Sequence, residues 1–192
     1  MKYFEIGLDW NASLDSPWDA VWPTDDDSNL DCLEGSLPLL YIWNQPQVTI
    51  QRRERTPDIF GFVLHFAVTE RMKSALEPLV GNEAEFLPLS CADDQLFAVH
   101  PLWPIDFDEG AELHRNSVSG NVTVVEKYSF SINPAEFNGP RHLFRMLQPE
   151  RSAARKAGYT LDRLIMSERC VEILNAIHAK GIRYRHVHTV GA

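Results

Sequence analysis

Cysteine is scarce and badly placed for cross-linking: Cys32, Cys91 and Cys170 are three, odd in number and far apart. That excludes a disulfide framework and the paired spacing of a zinc site, and leaves them reading as buried thiols. Long apolar runs are missing as well. None approaches the roughly 18 residues that a membrane-crossing helix needs. The opening stretch, interrupted by Lys2, Glu5 and Asp9, lacks the apolar centre of a secretion signal. The expectation is therefore a cytoplasmic protein with no membrane partner. Catalytic signatures are absent too: there is no glycine-rich phosphate loop, Gly-x-Ser-x-Gly, His-Glu-x-x-His or Cys-x-x-Cys. Asp106, His114 and Ser117 form only the sort of trio that any chain this size contains by chance. A non-enzyme without cofactor or metal is expected.

What is present is charge, unevenly spread. The net charge is −9, and residues 1–35 hold nine acids against the single base Lys2. Residues 141–192 hold ten Arg or Lys against four acids. An acidic surface repels nucleic-acid phosphates and attracts basic proteins, so a nucleic-acid partner is not expected. With 192 residues and 44% apolar composition, the chain suits one domain with a full core. We divide it into an acidic, Trp-bearing part, 1–57, and a part with two similar units, 58–192.

Those units carry the fold expectation. Phe66-Ala67-Val68-Thr69-Glu70-Arg71-Met72 and Leu164-Ile165-Met166-Ser167-Glu168-Arg169-Cys170 overlay without a gap. Each runs from an apolar strand to Thr or Ser, then Glu-Arg and a helical pattern. Each returns to a strand, at Phe86–Leu89 and at Tyr184–Val187. Thr69 and Ser167 suit the helix start, where a hydroxyl accepts from an unpaired N–H, and Glu70 and Glu168 suit the positive end of the dipole. Gly81-Asn82 and Gly181 read as the helix stops. Elsewhere, Ile59–Val68 reads as one buried strand, and Leu39–Trp43, Gln47–Ile50, Leu96–Val99 and Val122–Ile132 read as strands. Ser16-Pro17 opens a short helical turn that would put Trp18 and Trp22 on one face. Glu150–Tyr159 reads as a helix. Together these give an α+β fold: a mixed sheet with two strand–helix–strand units and flanking helices.

The pattern from Thr69-Glu70 through Phe86-Leu87-Pro88-Leu89 to the acidic Ile105-Asp106-Phe107-Asp108, with Phe144, Ser167-Glu168, Gly181 and Tyr184 in the tail, resembles the eleventh immunity-protein family of bacterial polymorphic toxin systems. The likeness spans roughly residues 58–190. It implies a cytoplasmic, non-enzymatic protein, encoded beside a secreted toxin, that binds the toxin and occludes its active site.

The candidate contact residues are Asp15, Trp18, Asp19, Trp22, Asp25, Asp26 and Asp27. Carboxylates would steer toward a basic cleft, and a tryptophan would anchor in a pocket. Glu70-Arg71 and Glu168-Arg169 read as structural pairs at helix starts. His186 and His188, two apart on a strand, face one side and could share a metal. This leaves two alternatives open: a metal-dependent enzyme using the C-terminal histidines, or a regulatory subunit of a larger assembly. A homodimer also stays open.

Overall fold

A computed structural model of the chain describes residues 1–8, 20–24, 33, 37–51, 57–62, 65–92, 94–106, 111–119, 124–137, 139–147 and 163–189. Among them are two sheets, two α-helices and a short 3-10 helix at Pro134–Glu136. The strands are β1 (Tyr3–Leu8), β2 (Ala20–Pro23), β3 (Val48–Gln51), β4 (Ile59–Phe62), β5 (His65–Thr69), β6 (Ala84–Leu89), β7 (Leu96–Pro101), β8 (Pro104–Asp106), β9 (Ala111–Ser119), β10 (Val124–Ile132), β11 (Leu143–Leu147), β12 (Arg163–Ser167) and β13 (Ile182–Thr189). The helices are α1 (Glu70–Val80) and α2 (Glu168–Ala176). One sheet has the order β3-β2-β4-β5-β7-β6 and the other β8-β11-β12-β1-β13-β10-β9.

The two sheets are built on one plan. In each half a strand–helix–strand unit flanks a central strand: β5-α1-β6 around β7, and β12-α2-β13 around β1. The register fixes the correspondence. Leu96 on β7 faces Thr69 and Leu89; Tyr3 on β1 faces Ser167 and Val187. The ungapped overlay therefore holds from Phe66 and Leu164 to Leu89 and Val187. It extends outward, since β4 and β11 pair antiparallel with β5 and β12, while β2 and β8 run parallel to β4 and β11. Even the outermost parallel contacts match: Gln47 bridges Ser90, and Ser131 faces His188. The central strand of the second half, β1, comes from the opposite end of the chain from its unit.

Helix chemistry follows the repeat in part. Thr69 and Ser167 share the same extended backbone, φ −72° and ψ 161°. Thr69 accepts from the Met72 N–H at 3.4 Å, whereas the Ser167 hydroxyl makes no such bond. Met72, Leu76 and Val80 of α1 are buried, as are Cys170, Val171 and Leu174 of α2. Both helices pack into one shared core with Ile6, Leu8, Ile59, Val68, Val99, Leu143 and Met166. A fully buried Leu or Met contributes about 1.5–3 kcal/mol by leaving water. Because this core draws on both halves, neither helix face is buried by its own sheet alone.

Two reciprocal buried carboxylates tie the halves together. Asp58, ahead of β4, accepts from the backbone N–H of Lys180, in the turn after α2, at 2.8 Å. Glu83, in the turn after α1, accepts from the N–H groups of His142 and Leu143 at the start of β11, both at 2.7 Å. Asp58 also receives the Thr69 hydroxyl at 3.0 Å and a two-point contact from Arg71. Burial alone would push the Asp58 carboxyl up, but these donors, with the Arg71 charge, hold it below the usual carboxylate range. Gly181 sits at φ +80°, and an added Cβ would lie 2.7 Å from the Pro57 side chain, so glycine is required by both conformation and space.

Several expectations are corrected. Ile59–Val68 is not one strand: it folds back into β4 and β5, pairing Phe62 with His65. Ala20–Trp22 is strand, hydrogen-bonded between β3 and β4, so no helical turn reaches Trp22. Leu39–Trp43 is a turn and not a strand. Helix α2 stops at Ala176, ahead of Gly181, because His178 adopts φ 51°. The helix expected at Glu150–Tyr159 lies outside the described residues.

Candidate functional site

The turn at residues 37–43 is where apolar chemistry meets solvent. Leu37 and Ile42 are each 76% exposed, Tyr41 is 95% exposed, and Leu40 is also exposed. Four large apolar side chains exposed in one turn make this a candidate contact patch. The turn is held firmly from beneath. Leu39 is buried in the core of the first sheet, and Trp43 is half-buried against it. The Trp43 indole N–H donates to the Pro88 carbonyl at 2.7 Å, and the Ile42 N–H to the Leu39 carbonyl at 2.8 Å. The Glu85 carboxylate accepts from the N–H groups of Leu39 at 2.6 Å and Leu40 at 3.3 Å. His100 Nε2 lies 3.0 Å from the Leu37 carbonyl, and Arg145 donates to the Leu33 carbonyl at 2.8 Å.

Trp103 is a further exposed aromatic residue, just past the end of β7 that bears His100. It is exposed, its indole N–H donates to the Asn82 carbonyl at 3.0 Å, and the Arg141 guanidinium stacks 4.5 Å from its ring centre. Anchors at ring nitrogen and face leave little rotamer freedom to lose on binding.

Of the contact residues expected from sequence, Asp15, Trp18, Asp19, Asp25, Asp26 and Asp27 lie outside the described residues. Trp22 is placed on β2 by its backbone alone. The expected strand Leu39–Trp43 rests on Leu, Tyr, Ile and Trp, which favour strands, but the segment is a turn. Pro38 and Pro46 bracket it, and each resists continuous pairing.

Arg71 and Glu168, from the two Glu-Arg pairs, make contacts within the fold. Arg71 bonds Asp58 and, at 2.9 Å, the Ile177 carbonyl; Glu168 pairs with Lys2 at 3.0 Å. His186 and His188 do face one side, with ring centres 5.3 Å apart, and Phe4 packs edge-on against His186. Among the described residues, no third His, Cys, Asp or Glu joins them into a metal-binding group.

A cluster not expected from sequence is His142, Ser167 and Cys170. His142 Nδ1 lies 2.9 Å from Ser167 Oγ, which sits 3.7 Å from Cys170 Sγ; the thiol in turn is 3.3 Å from the His142 carbonyl. The composition suggests a nucleophile, but the surroundings do not. Ser167 and Cys170 have no exposed surface, and burial pushes the Cys170 thiol up to about 11, so the reactive thiolate is not formed near neutral pH. The cluster holds α2 to β11, at the place where Asp58, Thr69 and Arg71 act in the first half.

The other notable site is on the second sheet, on the face away from the helices. Glu5, with 7% of its surface exposed, accepts from Arg163 at 3.1 Å and from Arg185. Arg183 stands one pleat further along β13, opposite Gly7.

No family model matches this chain, and no curated protein matches it. The likeness to the eleventh immunity-protein family therefore rests on the residue pattern across 58–190 alone.

Proposed function

We propose that this chain is a binding protein that neutralises a bacterial toxin by covering its active site, with the apolar turn Leu37–Ile42 as the anchor. The observation that carries this is the anchored exposure of Leu37, Leu40, Tyr41 and Ile42. Exposed aromatic and aliphatic side chains on a braced backbone suit a hot spot: they bury large area on binding and give up little conformational freedom. Trp103, exposed and stacked by Arg141, is a second braced aromatic group. The acidic front, with Asp15, Trp18, Asp19, Trp22, Asp25, Asp26 and Asp27, supplies long-range attraction toward a basic cleft. An inhibitor of this sort buries on the order of 1,600 Å² in total.

The test is growth rescue. The product of the gene beside this one is expressed in a susceptible host, with and without this chain. Rescue together with a stable complex supports the reading. Tyr41→Ala should then weaken the complex by roughly 30-fold, equivalent to about 2 kcal/mol, while leaving the melting temperature unchanged. Rescue that survives Tyr41→Ala combined with Ile42→Ser would remove the turn as anchor. No rescue and no complex would remove the toxin reading itself.

A further inference from the structure

In the first half, two opposed side chains grip a peptide segment. Glu85 takes the N–H groups of Leu39 and Leu40, and His100, directly across the ladder, takes the Leu37 carbonyl. The corresponding opposed pair in the second half is Arg183 and Gly7. The charge is inverted and the neighbouring side chain is gone. A Cβ added at Gly7 would meet nothing within 4 Å, so the strand surface beside Arg183 is open.

The next pleat continues the inversion. Leu87 and Ala98 of the first half become Arg185 and Glu5, and Arg163 flanks them from β12. The single Glu5 carboxylate is shared by Arg163 and Arg185, and Arg183 makes no ion pair among the described residues. Among the described residues this face thus carries net positive charge, on a chain whose overall charge is −9.

We propose that this face of β12, β1 and β13 docks an acidic segment of a protein partner, seated in the open slot over Gly7 and against Arg183. A carboxylate such as Glu85 suits peptide N–H groups; a guanidinium, with five N–H donors in a planar fork, suits a side-chain carboxylate taken two-point. Arg163 and Arg185 are already oriented by Glu5, so the free N–H groups of the exposed Arg185 are presented without further ordering. A nucleic acid would meet the same arginines but would also be repelled by the acidic remainder of the molecule. The proposal does not depend on the toxin reading, whose anchor lies on the other half.

The experiment uses the full chain and a short fluorescein-labelled oligoglutamate peptide, followed by anisotropy at low and physiological salt. The unaltered protein should bind it, and Arg183→Glu should weaken binding at least tenfold. Gly7→Val, which fills the slot, should weaken it as well, and Tyr41→Ala should leave it unchanged. Arg183 is exposed, so its variants should retain the parent melting curve; if Gly7→Val does not fold, Arg183→Glu and Arg183→Gln decide. The proposal is overturned by three results: no binding to the unaltered protein, equal binding by Arg183→Glu, or a single-stranded oligonucleotide of equal charge binding as tightly with the same sensitivity to Arg183.

Discussion

On β6 and β7 the face away from the helices carries Leu87, Leu89, Leu96 and Ala98, closed over by the segment that ends in Trp43. On β13 and β1 the same register places hold Arg185, Val187, Tyr3 and Glu5. On the helix-bearing side the halves barely differ: Val68 answers to Met166, Met72 to Cys170, Leu76 to Leu174 and Phe86 to Tyr184, all packed in or against one core. The contrast separates two constraints. The helix face must fit its counterpart from the other half, so its volume and polarity are restricted. The opposite face of each sheet meets different neighbours, and there apolar residues are exchanged for charge without disturbing strand register.

The largest expected effect tests whether the halves share one core. Leu76 and Leu174 occupy the same place in α1 and α2, with 1% and 0% of their surface exposed. Truncation of either to alanine should cost about 3–4 kcal/mol through lost burial and a residual cavity. Urea unfolding should show one transition for both variants, with similar losses. Two separate transitions, or losses that differ by more than about 2 kcal/mol, would break the picture of equivalent halves around a common core.

A smaller effect sharpens the difference at the helix starts. Asp58→Ala leaves the Thr69 hydroxyl, the Lys180 N–H and the Arg71 guanidinium without their acceptor, and should cost about 3 kcal/mol. His142→Ala removes one side-chain hydrogen bond to Ser167 and should cost about 1 kcal/mol. The Asp58 contribution is present above the ordinary carboxylate range and is lost as pH falls through its lowered value. Comparing melting curves of the two variants and the parent from neutral to acid pH checks both the sizes and the pH dependence. Equal losses would mean that the Asp58–Arg71 contact adds nothing beyond the cluster of His142, Ser167 and Cys170.

The sequence disclosed the repeat because its signal is local: Thr69-Glu70-Arg71 and Ser167-Glu168-Arg169 mark helix starts wherever they stand. It did not disclose that β1 completes the second half, because that pairing joins Tyr3 to Ser167 and Val187 across almost the whole chain. Nor did it disclose the candidate surface. Leu40, Tyr41 and Ile42 read as strand by type, but Leu39 and Trp43 pack inward while these three and Leu37 are exposed. Single residues that alter charge within a conserved register, such as Arg183 in the place of Glu85, become informative once the strands are aligned.

The smallest effect concerns a group found in one half alone. His100 is 1% exposed; its Nε2 bonds the Leu37 carbonyl, and its Nδ1 has no partner. Burial pulls the imidazole below its ordinary value and the Arg145 charge adds to this, while the Leu37 carbonyl and Glu85 pull it partly back. The folded protein therefore holds His100 neutral where the unfolded chain, with an ordinary histidine near about 6.5, takes up a proton. The stability this represents is intact above that ordinary value and is lost as pH falls toward the lowered one. Protonation would place a second N–H in a site with nothing to accept it, directly under the turn that carries Tyr41. Hydrogen exchange at the Leu39 and Leu40 amides, corrected for intrinsic rates, should accelerate below about pH 6.5. The Ile6 amide, on the strand where Gly7 replaces this histidine, should not respond in that range. His100→Gln, which keeps a donor for Leu37 and cannot titrate, should abolish the response. Acceleration at Ile6 equal to that at Leu39 would mean that the whole molecule loosens, and that the histidine does not set the two halves apart.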